Sequence, residues 1–497
     1  MAGKCPNILW IMTDQHRADY LGFMGHPFVQ TPHLDRLAES GVVFENAFCQ
    51  SPVCMASRAS LFTGRYPETV CMRGGAVLPP RETTTPEVFR RNGYRTGAFG
   101  KVHLTPEVFT KRVLKRDVPT LDLRHFAEAA KLGPIPDDPF KRNYGFEEHV
   151  GCEDRLQGLF EEWVARQRPD LLNQPKTPCP GGPRDCFVSP FPSALHQSTF
   201  IASQAESFIR RNANSAPWFA FCSFIAPHHP FEAPSDQIAR YDFAQIPPPD
   251  AEKPDRPDLV PEPACGAFGE MATWNEEIRR RIVLHYCASI SLIDDNVGRL
   301  VKALEDTGQM EDTIVLFVAD HGEFLGRHSL IRKPSIHYDE TLRVPLMLRL
   351  PGNGSGGRRV KGLVELVDVH PTLLGLAGLE ANPGCQGRDW SRMIATGDPI
   401  GRPDICSDFK RRDTSLLPRD GPYMACQTLR TERWKLNIYP TASPAFGQLF
   451  DLNADPGERN NLYDSPSHKG DKEEMLWRLA ARIAMIADPL PLSLSQY

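Results

Sequence analysis

The sequence predicts an α/β protein: a large mixed, mostly parallel sheet flanked by helices, with a smaller antiparallel sheet subdomain at the C-terminal end. Three observations predict it. The chain has 497 residues, 41% hydrophobic and 24% charged, so it is globular and too long for one compact core. Four short apolar runs alternate with helix-like segments, and each run ends in polar residues able to do chemistry. The end of the chain then changes to short strand-like runs and a final helix. A boundary near residues 395–405 divides it into a catalytic domain, 1–400, and a C-terminal subdomain, 401–497.

In chain order, Asn7–Met12 is a buried strand that ends at Thr13-Asp14-Gln15. Pro32–Ser40 has helical spacing and stops at Gly41; Thr85–Asn92 likewise stops at Gly93. Gly97–Phe99 is a second strand, followed by Lys101 and His103. Residues 106–200 and 231–270 lack clean periodicity and are rich in proline, as in Pro247-Pro248-Pro249. Long segments of that kind serve as lids, oligomer contacts or insertions. Trp218–Ile225 is a third strand, followed by His228 and His229. Trp274–Asp306 is a long helix, with Ile278, Ile282, Ile290, Ile293, Leu300 and Leu304 among its apolar positions. Its Asp294-Asp295 pair is most simply a solvated face. Thr313–Val318 is the fourth strand, followed by Asp320 and His321. Gly352–Gly357 reads as a flexible turn. Met424–Thr431, Trp434–Tyr439 and Gln448–Leu452 make the small sheet, and Lys472–Ile486 the last helix. No internal repeat stands out. Ligands collect outside the carboxyl ends of strands in open α/β sheets, so four runs ending alike point to one site.

Composition excludes several classes. Lys and Arg total 57 against 62 Asp and Glu, a net charge of −5, which offers no global attraction to nucleic acid or to an anionic membrane. No unbroken apolar span approaches about 18 residues, and the first run has no small-residue cleavage site behind it. A cytoplasmic location is therefore expected. The 13 cysteines are odd in number and scattered, which suits reduced thiols better than a disulfide framework. The terminal Pro489–Tyr497 reads as an extended tail that would cross to a neighbouring subunit of a homo-oligomer.

The stretch Ser51-Pro52-Val53-Cys54-Met55-Ala56-Ser57-Arg58 is the most informative. It sets a cysteine four residues before an arginine at the mouth of a predicted helix, where free N–H groups favour anions. A guanidinium there further stabilises a thiolate or an oxyanion. Taken with Leu61, Thr63, Gly64 and Arg65, the stretch resembles the signature of the formylglycine-dependent sulfatases of the alkaline phosphatase superfamily, with Ala56 where many members have proline. Further segments match in order. They are Pro6–Asp14, Gly93-Tyr94-Arg95-Thr96, Gly100-Lys101-Val102-His103-Leu104, Pro227-His228-His229-Pro230 and Ala319-Asp320-His321-Gly322-Glu323. Lys333, Tyr338-Asp339-Glu340, Arg343-Val344-Pro345, Arg430–Lys435, Leu449–Leu452, Asp455-Pro456 and Asn461-Leu462 complete the series.

The resemblance implies an alkaline phosphatase-like fold and an arylsulfatase-like hydrolase. It implies conversion of Cys54 to formylglycine by a formylglycine-generating enzyme. It also implies one divalent metal on Asp14, Gln15, Asp320, His321 and the residue at 54. The family favours calcium; the His321 imidazole leaves manganese open. Gln15 offers a neutral carbonyl where many members have a second acid, and a hydrogen bond from the side is nearly as good a reading as ligation. Arg58, Lys101, His103, His228 and Lys333 match the residues that the family places around the sulfate. The hydrated aldehyde would attack sulfur, His228 or Lys333 would protonate the leaving oxygen, and His103 would take the second hydroxyl proton.

Two alternatives stay open. Phosphonate monoester and phosphate diester hydrolases of the same superfamily also pair Asp-Gln with Asp-His, as this chain does. Lys101 and His103, however, are sulfatase-like, so sulfate monoesters are the first expectation, with side activity on the other esters. A catalytically dead scaffold is disfavoured because Cys54, Asp14 and Asp320 are all present. Arg73, in the segment where many relatives have an asparagine, is not assigned a role.

Overall fold

A computed structural model describes residues 5–487, apart from 71, 73–75, 80, 106–142, 154–155, 180–185, 214, 250–251, 262–273, 354–355 and 412–423. The predicted tail 489–497 and Arg73 lie outside the described residues, as do large parts of the two irregular segments.

Among the described residues, nine strands form the central sheet. Asn7–Thr13 lies at its middle, parallel to Thr313–Ala319 on one side and to Trp218–Ser223 on the other. Trp218–Ser223 is followed outward by the parallel strands Arg95–Gly100 and Glu148–Gly151. Beyond Thr313–Ala319 the sheet turns antiparallel through Leu346–Arg349 to Val42–Phe48, which also pairs with Arg343–Val344 and, in parallel, with Arg358–Glu365. The mixed, mostly parallel sheet is thus as predicted. All four runs read as strands are central or near-central, buried on both faces as their unbroken apolar character requires.

Alternation along these strands divides the core. Ile8, Trp10, Met12, Ile314, Leu316 and Val318 face the layer containing the helices Cys54–Thr63, Thr85–Arg91 and Val369–Leu376. Leu9, Ile11, Val315 and Phe317 face the opposite layer, made of Pro32–Glu39, Gln197–Arg211 and the long helix Glu276–Asp306. Trp10 stacks on Phe62 at 5.1 Å, and Phe62 meets Phe221 edge-on at 5.1 Å. These aromatic contacts seat the Cys54–Thr63 helix directly on the sheet.

The smaller sheet is a four-stranded antiparallel meander, Ile405–Arg411, Met424–Arg430, Trp434–Ile438 and Gly447–Asp451, with the helix Lys469–Ala487 beside it. Its first strand was not read from the sequence. Fully buried Lys435 joins this sheet to the central-sheet layer through Asp339 at 2.9 Å and pairs on its own side with Glu458 at 2.6 Å.

One expectation is corrected. Asp294 is not on a solvated face: it is fully buried, and its carboxylate accepts the N–H groups of Leu34 at 2.8 Å and His33 at 3.1 Å. Those donors open the Pro32–Glu39 helix, whose own cap residue Thr31 makes no side-chain cap bond. Asp294 therefore caps a neighbouring helix from across the layer. Asp295 is the more exposed of the two and pairs with Arg240 at 3.0 Å.

The irregular segments also hold order that periodicity did not show. Among the described residues, Thr177–Pro178, Cys186–Ser189 and Phe231–Pro234 form a three-stranded sheet, and Gly158–Gln167 is a helix. The described residues contain no disulfide, and none of their helices is long and apolar enough to cross a membrane.

Candidate active site

The four strands Asn7–Thr13, Arg95–Gly100, Trp218–Ser223 and Thr313–Ala319 run parallel, so their carboxyl ends share one edge. That edge presents Asp14, Lys101, the His228 turn and Asp320-His321 together. Cys54 is the first residue of a helix whose ten residues are all buried, and Val53 supplies no side-chain cap. The opening turn of that helix lies at the edge where the strands end, and helix N-termini favour anions.

Arg58 stands one turn after Cys54, on the same helix face. It is fully buried and joins all four strand ends. Its Nε donates to Asp320 Oδ2 at 2.8 Å and its Nη2 to Asp14 Oδ2 at 3.3 Å. Its Nη1 donates to Ser223 Oγ at 3.0 Å and to the carbonyl of Lys101. Ser57 adds a bond from its hydroxyl to the Asp320 carbonyl.

The other cations converge on Cys54. Lys333 Nζ is 2.9 Å from Cys54 Sγ and 2.8 Å from His321 Nε2. Lys101 Nζ is 2.8 Å from Asp14 Oδ2 and 3.8 Å from Glu153. His103 and His228 both lie beside Cys54, close enough to act on its ionisation or be acted on by it. Burial alone would push the Cys54 thiol up, but Lys333, Lys101 and His321 outweigh it and hold the thiol well below its ordinary range. Burial and Cys54 likewise push Asp14 up, while Lys101, His228 and Lys333 bring it below the usual carboxylate range. Burial, followed by Lys333, lowers His228, which favours the neutral imidazole. All six residues assigned to catalysis from the sequence thus lie in one cluster.

Cluster residues also adopt unusual backbone. Gln15 and His103 have φ of 61° and 55°, in the left-handed region that non-glycine residues seldom occupy. Gln15 is held there from every side. Its N–H donates to Asp320 Oδ1 at 3.1 Å, its carbonyl accepts from Tyr286 at 2.7 Å, and its amide nitrogen donates to Glu323. Its Oε1 lies 3.2 Å from His229 Nδ1. The Gln15 side chain is thus engaged by Glu323 and His229, alongside the acidic cluster. Sequence reasoning missed Glu323, His229 and Glu153. The first two sit inside recognised motifs, and that adjacency was the available signal.

The donor set fits one divalent ion. Donor atoms of Asp14, Cys54, Asp320 and His321 all lie within 4.8 Å of one another. His321 Nε2 is 3.5 Å from Asp14 Oδ1 and 3.7 Å from Asp320 Oδ1. Donors about 2.0–2.4 Å from a shared ion stand about 3–4 Å apart. Two carboxylates and an imidazole, cross-braced by Arg58, make a rigid, charged receptacle.

Comparison with known proteins agrees with this geometry. The Sulfatase family pattern matches residues 6–379, and the pattern for the N-sulphoglucosamine sulphohydrolase C-terminal region matches residues 326–484. The chain is 30% identical over 520 residues to the multifunctional alkaline phosphatase superfamily protein PehA of Trinickia caryophylli, covering 95% of each. It is 30% identical over 479 residues to an arylsulfatase of Clostridium perfringens, covering 93% of this chain and 91% of the relative. Among solved structures, the phosphonate monoester hydrolase of Agrobacterium radiobacter superposes with a TM-score of 0.80 at 26% identity, covering 97% of this chain and 96% of that one.

Proposed function

The chain belongs to the sulfatase family of the alkaline phosphatase superfamily and is a hydrolase, and from that premise we propose that it cleaves sulfate monoesters of the aryl sulfate type. The observation that carries this reading is the convergence of Lys101, His103, His228 and Lys333 on residue 54 at the mouth of a buried helix. Arg58 and Lys101 pair with the carboxylates of Asp14 and Asp320, and Lys333 stands against residue 54 and His321. Fixed cations beside residue 54 suit an anionic ester whose oxygens gain charge as the leaving group departs.

Asp14, Asp320 and His321 would hold a divalent metal, calcium or manganese, with Gln15 supporting it from beside the ligands. A formylglycine at position 54, with that metal, supplies an oxygen nucleophile of lowered proton affinity and charge to anchor the sulfuryl oxygens. The remaining work falls to this chain's side chains. Lys101 and Lys333 neutralise the sulfuryl group. His103 takes a proton at residue 54. Lys333, or His228 once it has taken up a second ring proton, delivers one to the leaving oxygen. The ring Nδ1 of His228 faces the His229 carbonyl, which leaves Nε2 for the pocket.

Phosphonate monoesters and phosphate diesters are the second substrate class. The likeness to the phosphonate monoester hydrolase over nearly the whole chain favours some activity there. The deciding experiment is a panel of aryl sulfates, phosphonate monoesters and phosphate diesters with one common phenol, assayed after mass spectrometry confirms the aldehyde at position 54. Highest kcat/KM on the sulfate is expected. A phosphonate preference would reverse the ranking.

A further inference from the structure

A second cluster of metal-binding side chains lies away from the catalytic one. Thr177–Pro178 pairs antiparallel with Cys186–Ser189, with Thr177 opposite Val188 and Pro178 opposite Phe187. One step further, Cys179 stands opposite Cys186 and donates its N–H to the Cys186 carbonyl at 3.0 Å. His285, on the Glu276–Asp306 helix, faces the pair. The two sulfurs are 2.8 Å apart, and Cys179 Sγ is 3.2 Å from His285 Nε2. All three residues are buried, and their donor atoms lie within 4.8 Å of one another.

We propose that Cys179, Cys186 and His285 bind a thiophilic divalent cation of the zinc type. Two thiolates and an imidazole are a soft donor set, unlike the carboxylate-rich catalytic cluster, and they select zinc over calcium. Zinc–sulfur bonds of about 2.3 Å in a tetrahedron place two sulfurs about 3.8 Å apart. Parting these sulfurs by about 1 Å therefore admits the ion and leaves its fourth position open. A disulfide would use both sulfurs and give His285 Nε2 no role.

The position gives such an ion a purpose. Cys186 pairs in register with Phe231, at the start of the strand that follows His228-His229-Pro230. On the helix, the residue after His285 is Tyr286, whose hydroxyl donates to the Gln15 carbonyl and accepts the Arg17 N–H at 2.9 Å. An ion here ties the His228–His229 turn to the helix that supports Gln15.

The test uses full-length, reduced protein carrying Cys54→Ala. That background removes the catalytic-site thiol, so the outcome does not depend on the hydrolytic reading. Cobalt(II) should give a thiolate-to-metal charge-transfer band that saturates at one equivalent and is bleached by zinc. The band should vanish with an added Cys179→Ser or Cys186→Ser, and His285→Ala should weaken cobalt affinity at least tenfold. Far-UV circular dichroism checks that each variant is folded. Absence of the band in folded Cys54→Ala protein would overturn the proposal. So would its persistence in the Cys179→Ser double variant, or a Cys179–Cys186 disulfide in a peptide map of protein purified without reductant.

Discussion

Lys333 Nζ lies 2.9 Å from Cys54 Sγ, so the residue at 54 meets a fixed positive charge at the atom that reacts. Burial opposes ionisation of the thiol, and Lys333, Lys101 and His321 overcome it. A thiol held below its ordinary range is a thiolate at lower pH. In metal-free protein whose Cys54 has not been converted, iodoacetamide should modify Cys54 at mildly acidic pH, where ordinary thiols are inert. Lys333→Met should move the midpoint of the pH–rate curve upward. An unmoved midpoint would show that the lysine does not set the thiol's ionisation.

On the proposed mechanism the proton for the leaving oxygen comes from His228 or Lys333, and a series of aryl sulfates with increasingly basic phenols separates them. Removing the true donor should lower turnover by about 10²–10⁴ for basic phenols and far less for acidic ones. Removing the other should cost all substrates alike. Equal, flat losses for Lys333→Ala and His228→Ala would exclude both as the donor.

Arg58 pairs with Asp14 and Asp320, and all three are fully buried. Arg58→Ala leaves two buried carboxylates short of a partner, at a cost of about 3–5 kcal/mol. Chemical denaturation should register this as a large drop in midpoint along with loss of turnover. Arg58→Lys keeps one charge but cannot reach four strand ends, so it should recover part of the stability and little activity. A midpoint equal to wild type for Arg58→Ala would contradict the bracing role.

Gln15 is held by Glu323 and His229 beside the acidic cluster. Glu323→Ala frees the Gln15 amide and should weaken divalent-metal affinity by about 10–100-fold with the ligands intact. Isothermal titration with calcium and manganese would measure it. Unchanged affinity for both ions would remove Glu323 from the metal's support.

Asp294 supplies a pH test of the fold. Burial raises its carboxyl from the ordinary 3.8 to about 7, against the lowering effect of the Leu34 and His33 N–H bonds. Between those values the folded chain holds a proton that the unfolded chain has lost, so stability falls as pH rises through that window. Asp294→Asn should flatten this dependence when urea midpoints are compared at about pH 5 and about pH 7.5. A slope identical to wild type would refute it.

The main sheet and most of the site were legible because each rests on a local signal. Asn7–Thr13 and Thr313–Ala319 are unbroken apolar runs, and the polar residues that follow them are at the site by topology alone. Gln15 was legible in place but not in role, since its partners Glu323 and His229 come from the segments that follow two other strands. Asp294 was misread because a carboxylate on a helix reveals nothing of the helix end packed against it. Cys179, Cys186 and His285 were invisible as a set: a two-residue strand and a distant helix unite them, and neither leaves a periodic trace.

The adjacency of the first strand to Thr313–Ala319 also sets a schedule. Gln15 and its partner Asp320 are 305 residues apart. At roughly 5–20 residues per second, a ribosome needs on the order of 15–60 s to make the chain between them. Until then Asn7–Thr13 has one edge without its central neighbour, and Asp14 lacks the second carboxylate. A nascent chain therefore spends most of its synthesis with no assembled reactive centre, and competence arrives late, when Thr313–Ala319 pairs with the waiting Asn7–Thr13 and Leu346–Arg349, made after it, closes its other edge.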